Sequence, residues 1–297
     1  MRAVKDVPRE DAQAVLQAYP TWYHSIELAP DVVTSGIAPL EHWEASLRSL
    51  QLPDMHGKSV LDIGASDGFF SFAVERMGAA RVVALDYYAW SADMAEYAKD
   101  WRESKRTGLP LPSPQESRHW RPDELPGRRP FDAARELFAS KVEPVVGDFM
   151  TMDLTPLGRF DVVLFLGVLY HMQDPLAALR RVASVTAPHG LAVIETEAME
   201  IAGLEDRSFC EFFPGMELNN DPTNWWAPNA TALAGLCSAA GFREVTILTK
   251  RPEPRRQGRA KALGSWLAKT SIASKLGVGA IADHSPLRYR AYAHARV

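Results

Sequence analysis

Cysteine is scarce, with only Cys210 and Cys237 in 297 residues. Two thiols so placed exclude a disulfide framework and offer no metal-ligand spacing. The eight histidines are scattered, so no metal site is expected. No apolar run is long enough to cross a bilayer, and the opening MRAVKDVPRED lacks a signal peptide's apolar segment. The expectation is a cytoplasmic protein without a membrane partner. A strong charge of one sign is also missing, since the net charge is −4. The balance is local, however: from Lys250 onward eleven Lys or Arg face only Glu253 and Asp283. That basic tail is either a solvated surface or a place for phosphates of RNA or of a phosphorylated substrate. Hydrophobic residues at 46% and charged residues at 24% are ordinary for a soluble globular protein, and the length allows one large core or a core plus a small cap.

The densest pattern is Ser59 to Asp86, SVLDIGASDGFFSFAVERMGAARVVALD. Val60, Leu61 and Ile63 form a short apolar run, as a strand buried on both faces requires. Gly64 and Gly68 bracket a turn where a ligand can approach the backbone. Phe69, Phe72, Ala73 and Met77 then follow helical spacing to a stop at Gly78, and Arg81 to Leu85 is a second strand ending at Asp86. A carboxylate at that strand end can accept two hydrogen bonds from a ribose diol. A dinucleotide fold wants G-x-G-x-x-G, but Ser66 and Phe69 hold the second and third glycine places. An NAD-linked oxidoreductase is therefore the weaker nucleotide reading.

Further along, helices are expected over Arg9 to Tyr19 and Pro39 to Leu50, and another from an N-cap at Ser91 to about Glu103. An insertion at about residues 104–130 carries six prolines from Thr107 to Pro130, followed by a helix over Phe131 to Ser140. So long a connection is a lid, a binding loop or an unstructured segment. Strands are expected at Val142 to Val146, Phe160 to Leu166, Leu191 to Thr196, Phe242 to Leu248 and Arg288 to Arg296. Between them, Asp174 caps a helix with Pro175 in its first turn, and Asn229 to Ala240 forms another. This alternation predicts an α/β fold, a parallel sheet covered on both faces, with residues 1–55 as a helical lid and 56–297 as the nucleotide-binding domain.

The pattern D-x-G-x-x-x-G at Asp62 to Gly68 resembles the first motif of class I S-adenosylmethionine (SAM)-dependent methyltransferases. FDVVLFLGVLYHMQDPLAALRRV, Phe160 to Val182, is more specific. It resembles the bacterial tRNA wobble-uridine (carboxy)methyltransferase-related family. PGMELNNDPTNWWAPNATAL is similar to that family's segment after the fifth strand. The resemblance implies a Rossmann-like, seven-stranded sheet and SAM as cofactor. It implies that Asp62, Gly64, Ala65, Ser66 and Gly68 hold the methionine part, with Asp86 and Tyr87 at the ribose. Asp148 and Phe149 would serve the adenine, and Leu166, Gly167 and Tyr170 would complete the donor site.

Where the family carries W-R-K-G, this chain reads Trp22-Tyr23-His24, without the lysine that helps hold the extra carboxylate of carboxy-SAM. One of Arg255, Arg256 or Arg259 is the expected match to a C-terminal arginine. The missing charge favours plain SAM and methylation of a small-molecule oxygen or nitrogen. A tRNA wobble-uridine modifying enzyme is the alternative, with tRNA as partner. His171, just after the fourth strand, is the candidate base, or else a histidine that holds the turn. Trp22, His24, Glu195, Asn224, Trp225 and Trp226 are the candidate acceptor contacts, the tryptophans through stacking or as packing for a cap.

Overall fold

Proline and apolar spacing set the first elements of the computed structural model, which describes residues 6–112, 114–201, 204–250, 252 and 286–297. Helix α1 (Arg9–Ala18) starts after Pro8 and stops short of Pro20. A small hairpin follows, β1 (Glu27–Ala29) with β2 (Val32–Val33), and then α2 (Leu40–Ser49), entered at Pro39. The nucleotide pattern folds as read: β3 (Ser59–Ile63), α3 (Phe69–Arg76) and β4 (Arg81–Asp86).

The next stretch departs from expectation. Ser91 does not cap the long helix; it closes a short one, α4 (Tyr88–Ser91), and is fully buried. Asp93 is the cap of α5 (Met94–Thr107), accepting from the amides of Ala95 and Glu96 at 3.1 Å. A carboxylate at the N-cap also meets the positive end of the helix dipole, which a hydroxyl does less well. The described part of the proline-rich insertion is packed in places, Leu111 and His119 being buried while residues 105–110 are exposed. His119 is 3% exposed and bonds to Asp100 at 2.8 Å, while Trp120 bridges to Ala92. Its last residues are already helical: α6 (Arg128–Leu137) starts three residues earlier than the Phe131 expected, with Pro130 tolerated in its first turn.

Regular alternation then runs through β5 (Glu143–Val146), β6 (Phe160–Leu166), α7 (Pro175–Val185) and β7 (Thr186–Glu200). A minor pair, β8 (Cys210–Phe212) and β9 (Trp226–Pro228), precedes α8 (Ala230–Ala240), β10 (Glu244–Ile247) and β11 (Leu287–Arg296). Seven described strands make one sheet in the order β10-β11-β7-β6-β3-β4-β5. Strands β3 to β7 run parallel, and β11 lies antiparallel between β7 and β10. β7 outruns its expected span because β11 pairs with it as far as Glu200.

Side chains on the central strands alternate between two apolar layers. Val60, Val82, Val162 and Val193 pack with α3, α6 and the N-terminal segment. Leu61, Val83, Val163 and Ile194 pack with α7 and α8. Both faces are thus covered, which explains why β3 and β6 are mostly apolar, with Asp62 and Asp161 as the carboxylates among them. The strand order reverses between β3 and β6, so the turns after them meet at the switch point. A Cβ on Gly64 would stand 2.5 Å from Val168 Cγ2, which measures how closely those turns touch.

Candidate active site

Asp86 ends β4 at 4% exposure, with Oδ2 accepting from the Ser66 amide at 2.8 Å and Oδ1 from Ala89 at 3.0 Å. Each oxygen keeps a lone pair for a diol. Burial pushes this carboxyl up to about 6 although four backbone amides pull it down. Tyr87 stands beside it, edge-on to Trp120 at 5.7 Å. Asp62 lies beneath the glycine turn, 2% exposed, and receives the Ser71 hydroxyl at 2.6 Å. Burial drives Asp62 up to about 6 as well. Ala65 and Gly64 both donate to Leu85 O, and Gly68 donates to Ala65 O, so backbone bonds pin the turn to β4 beside the Ser66–Asp86 contact. Ser66 takes a φ of +50°, the left-handed conformation a glycine would favour there.

Asp148 is half-buried and caps its own turn, receiving the Met150 amide at 2.8 Å and the Thr151 hydroxyl at 2.9 Å. The Phe149 ring is spent in the core against Phe165, with Arg181 over it, so an adenine could meet only its backbone.

Beyond β6 and β7 the structure gathers a polar cluster. Leu166 is half-buried at the end of β6, and the space over Gly167 is lined by Arg290 Nη2, the Tyr170 hydroxyl and Glu195 Oε2, 3.5–3.6 Å from where a Cβ would stand. Arg290 bonds Glu195 through Nε and Nη2, Glu197 through Nη1 at 2.9 Å, and the Tyr170 hydroxyl at 3.5 Å. Burial alone would lower the Arg290 pKa, but Glu195, Tyr170 and Glu197 reverse this and fix the positive charge. Burial also raises Glu195 and Tyr170, with Arg290 opposing in both.

His171 sits beside Tyr170, ring centroids 4.3 Å apart. Its Nδ1 lies 3.0 Å from the Thr223 carbonyl oxygen and 2.9 Å from the Thr223 hydroxyl. A carbonyl can only accept, so Nδ1 carries the proton and Nε2 of the neutral ring keeps its lone pair. Nε2 has no hydrogen-bond partner among the described residues. Burial lowers the His171 pKa, with Asp221 and the Thr223 bond opposing.

A family model described as a methyltransferase domain matches residues 41–247, more than half the chain. The chain belongs to that methyltransferase family. Its cofactor is SAM, and the dinucleotide reading falls away. Among similar proteins are tRNA U34 carboxymethyltransferases. That of Idiomarina loihiensis is 25% identical over 79% of this chain and 59% of its own. That of Desulfotalea psychrophila is 25% identical over 68% of this chain and 50% of its own. The methyltransferase thus spans about half the length of these relatives. The N-terminal domain of EvdMO1, solved with S-adenosylhomocysteine (SAH) bound, shares the fold at a TM-score of 0.57, with 17% identity and full coverage of both chains. The same domain in the presence of SAH and D-fucose gives 0.55 at 18% identity, covering 97% of this chain and 96% of its own.

Several expected contacts of the methyltransferase lie elsewhere than foreseen. Trp22 is 4% exposed and donates to Tyr19 O at 2.6 Å. His24 is 5% exposed, bonds Asp67 through Nδ1 and stacks on Phe69. Both side chains are committed to the core, and Tyr23 between them is the one in the field of Arg290 and Glu195. Asn224 is buried with Nδ2 on Leu218 O, while Trp225 and Trp226 are half-buried against Phe212. The Trp225 amide donates to Tyr170 O at 2.8 Å, so this segment does border the site. Arg255, Arg256 and Arg259 lie outside the described residues, as does most of the basic tail. Arg290 and Thr223 join the site without a mark in the sequence, while Glu197 and Asp221 join it from the strand-end and polar segments that hold Glu195 and Asn224. No local signal marks Arg290, whose partners come from the register of β11 on β7.

Proposed function

We propose that this methyltransferase methylates an oxygen or nitrogen of a small polar acceptor held above β6, β7 and β11, with His171 as the base. The observation that carries the reading is the His171 hydrogen bonding, which leaves Nε2 free and the ring neutral. When bound, SAM supplies an electrophilic methyl on a sulfonium. The residues suit it: Asp86 offers two acceptor oxygens at the end of β4, Asp148 stands after β5, and the Gly64 to Gly68 turn exposes backbone between them. Asp86 would hold the ribose and the turn the methionine part. His171 would take the acceptor's proton at Nε2 as the new bond forms, and the walls would supply alignment and exclude water. A hydroxylated acceptor also agrees with the structural relative crystallised in the presence of D-fucose.

A second reading is carboxymethyl transfer to tRNA, as the names of the sequence relatives suggest. Arg290 beside the Tyr170 hydroxyl favours it, since a guanidinium and a phenol can hold a carboxylate. Two carboxylates already on that guanidinium favour plain SAM. Calorimetric titration with SAM and carboxy-SAM separates the two readings. Transfer of labelled methyl from SAM to a panel of sugars and amines, with tRNA alongside, follows it. Tight SAM binding with transfer to a small molecule supports the first reading. Preference for carboxy-SAM, with tRNA as acceptor, replaces it by the second.

A further inference from the structure

Two long connections of the fold meet above His171. One is the arm after β4, which includes α5 and the proline-rich insertion. The other is the segment after β7 that carries residues 216–226. The Ser104 hydroxyl on α5 donates to Met216 Sδ at 3.6 Å, and the Tyr97 phenol on α5 lies in the field of Asp221, which adds to burial in raising its pKa. Tyr97 is itself held edge-on by His119, centroids 5.2 Å apart, and His119 bonds to Asp100 one turn along α5.

Asp221 faces the other way as well. Its Oδ1 accepts from the Thr223 amide at 2.8 Å and from the Thr223 hydroxyl at 2.6 Å. Because that hydroxyl spends its proton on Asp221, its oxygen presents only lone pairs to His171 Nδ1. The backbone oxygen of Thr223 does the same. The series Asp221, Thr223, His171 is therefore a directed set of hydrogen bonds in which every proton position follows from its neighbours.

We infer that Asp221 is a positioning residue: it orients Thr223 to hold His171 as the Nδ1–H tautomer. The segment that carries it meets the arm after β4 at Met216 and Ser104, and Tyr97 of that arm lies in the Asp221 field, so seating of the arm bears on the placement of the imidazole. The inference rests on the reading of His171 as base for its catalytic meaning, but its geometry is tested without any acceptor.

The charged groups facing His171 are Asp221, Glu197 and Arg290, the acids raising its pKa and the arginine lowering it. Removing the Asp221 charge moves it further down. The measurement is NMR titration of histidine-labelled protein saturated with SAH, with His171→Gln assigning the resonance. Asp221→Asn should lower the His171 midpoint by about 0.5 pH or more. Thr223→Val should lower it too, while Thr223→Ser, which keeps the hydroxyl, should titrate as the parent does. Tyr97→Phe should give a smaller shift that disappears in the Asp221→Asn background, since both act through one carboxylate. Retained SAH affinity certifies that each variant is folded, and the Thr223 pair carries the test where Asp221→Asn fails that control. The inference is overturned if SAH-competent Asp221→Asn or Thr223→Val leaves midpoint and tautomer unchanged, or if the Tyr97 effect is fully additive. Failure of the base assignment shows separately, as methyl transfer that survives His171→Gln.

Discussion

Arg290 and Glu197 stand directly opposite on adjacent antiparallel strands, and Nη1 donates to Oε1 at 2.9 Å. Glu195, two residues back on β7, takes the same guanidinium from its other side. The one cation of this cluster thus faces two carboxylates, and the region above Gly167 is acidic on balance. That balance suits a sulfonium and disfavours a carboxylated donor. Glu195→Gln combined with Glu197→Gln should raise affinity for carboxy-SAM by about tenfold and leave SAM binding unchanged or weaker. Calorimetry with both donors reads this directly. Equal donor preference in the parent and the double variant would remove Arg290 from donor selection.

Asp86 should hold the ribose, and its loss should be felt in affinity. Asp86→Ala is expected to weaken SAM binding at least tenfold, roughly the loss of one charge-assisted hydrogen bond or more. The Ser66 and Ala89 amides lose their acceptor in that variant, so Asp86→Asn is the needed companion: it keeps an oxygen and removes the charge. With the Asp86 carboxyl pushed up to about 6, SAM affinity of the parent should fall as pH drops through that value. In Asp86→Asn the pH dependence should be flatter. Calorimetric titration at pH 5 and 7.5 checks both. SAM binding that ignores both substitutions would place the ribose elsewhere.

The parts of this fold legible in the sequence are those set by local chemistry. β6 is Phe160–Leu166, as its apolar run from Val162 indicates, because a strand covered on both faces is mostly apolar. Asp174 with Pro175 caps α7 as read, its Oδ1 on the Ala177 amide. Two hydroxyl- or carboxylate-bearing residues close together defeated the same logic at α5, where Asp93 rather than Ser91 is the cap. Trp22 and His24 look like binding residues by type, yet Asp67, 43 residues from His24, turns the ring into the core. Arg290 was out of reach for a different reason. Its meaning comes from the register of β11 on β7, across 93 residues from Glu197, and no local pattern encodes that pairing. Asp221 likewise matters through Thr223, which meets His171 from 52 residues away.

Gly68 caps α3 in the left-handed region at φ +88°. A Cβ there would stand 2.5 Å from Phe72 Cε2 and 2.7 Å from Phe131 Cδ2, both in fully packed rings. Gly108 closes α5 at φ +71° with nothing within 4 Å of its would-be Cβ. The two positions separate strain from clash. Gly108→Ala should cost about 1 kcal/mol, from backbone strain alone. Gly68→Ala should cost more, about 2–4 kcal/mol, because rings must also move. Denaturant unfolding of both variants measures the difference. Equal losses would show that Phe72 and Phe131 yield without cost.

Two of the buried carboxylates, Asp62 and Asp86, should shape stability against pH. Asp62 and Asp86 both rise to about 6 in the folded protein, from a reference of 3.8, with desolvation as the main cause. Between pH 4 and 6 the folded state then holds protons that the unfolded chain has released. Unfolding free energy must therefore fall as pH rises through that window, and the penalty is complete above about 6. A raised acid behaves oppositely to a salt-bridged one, whose stabilisation is lost on acidification. For one such group the shift corresponds to on the order of 2–3 kcal/mol. Asp62→Asn removes the charge while keeping an oxygen for the Ser71 hydroxyl. It should raise stability at pH 7.5 by about 1–2 kcal/mol, part of the gain being lost to an imperfectly placed amide. It should also flatten the slope between pH 4 and 6, leaving the contribution of Asp86. Urea unfolding at a series of pH values reads both effects. A variant less stable at pH 7.5 with the slope intact would mean that Asp62 is ionised at no cost, held by the His24 side of the site rather than opposed by its burial.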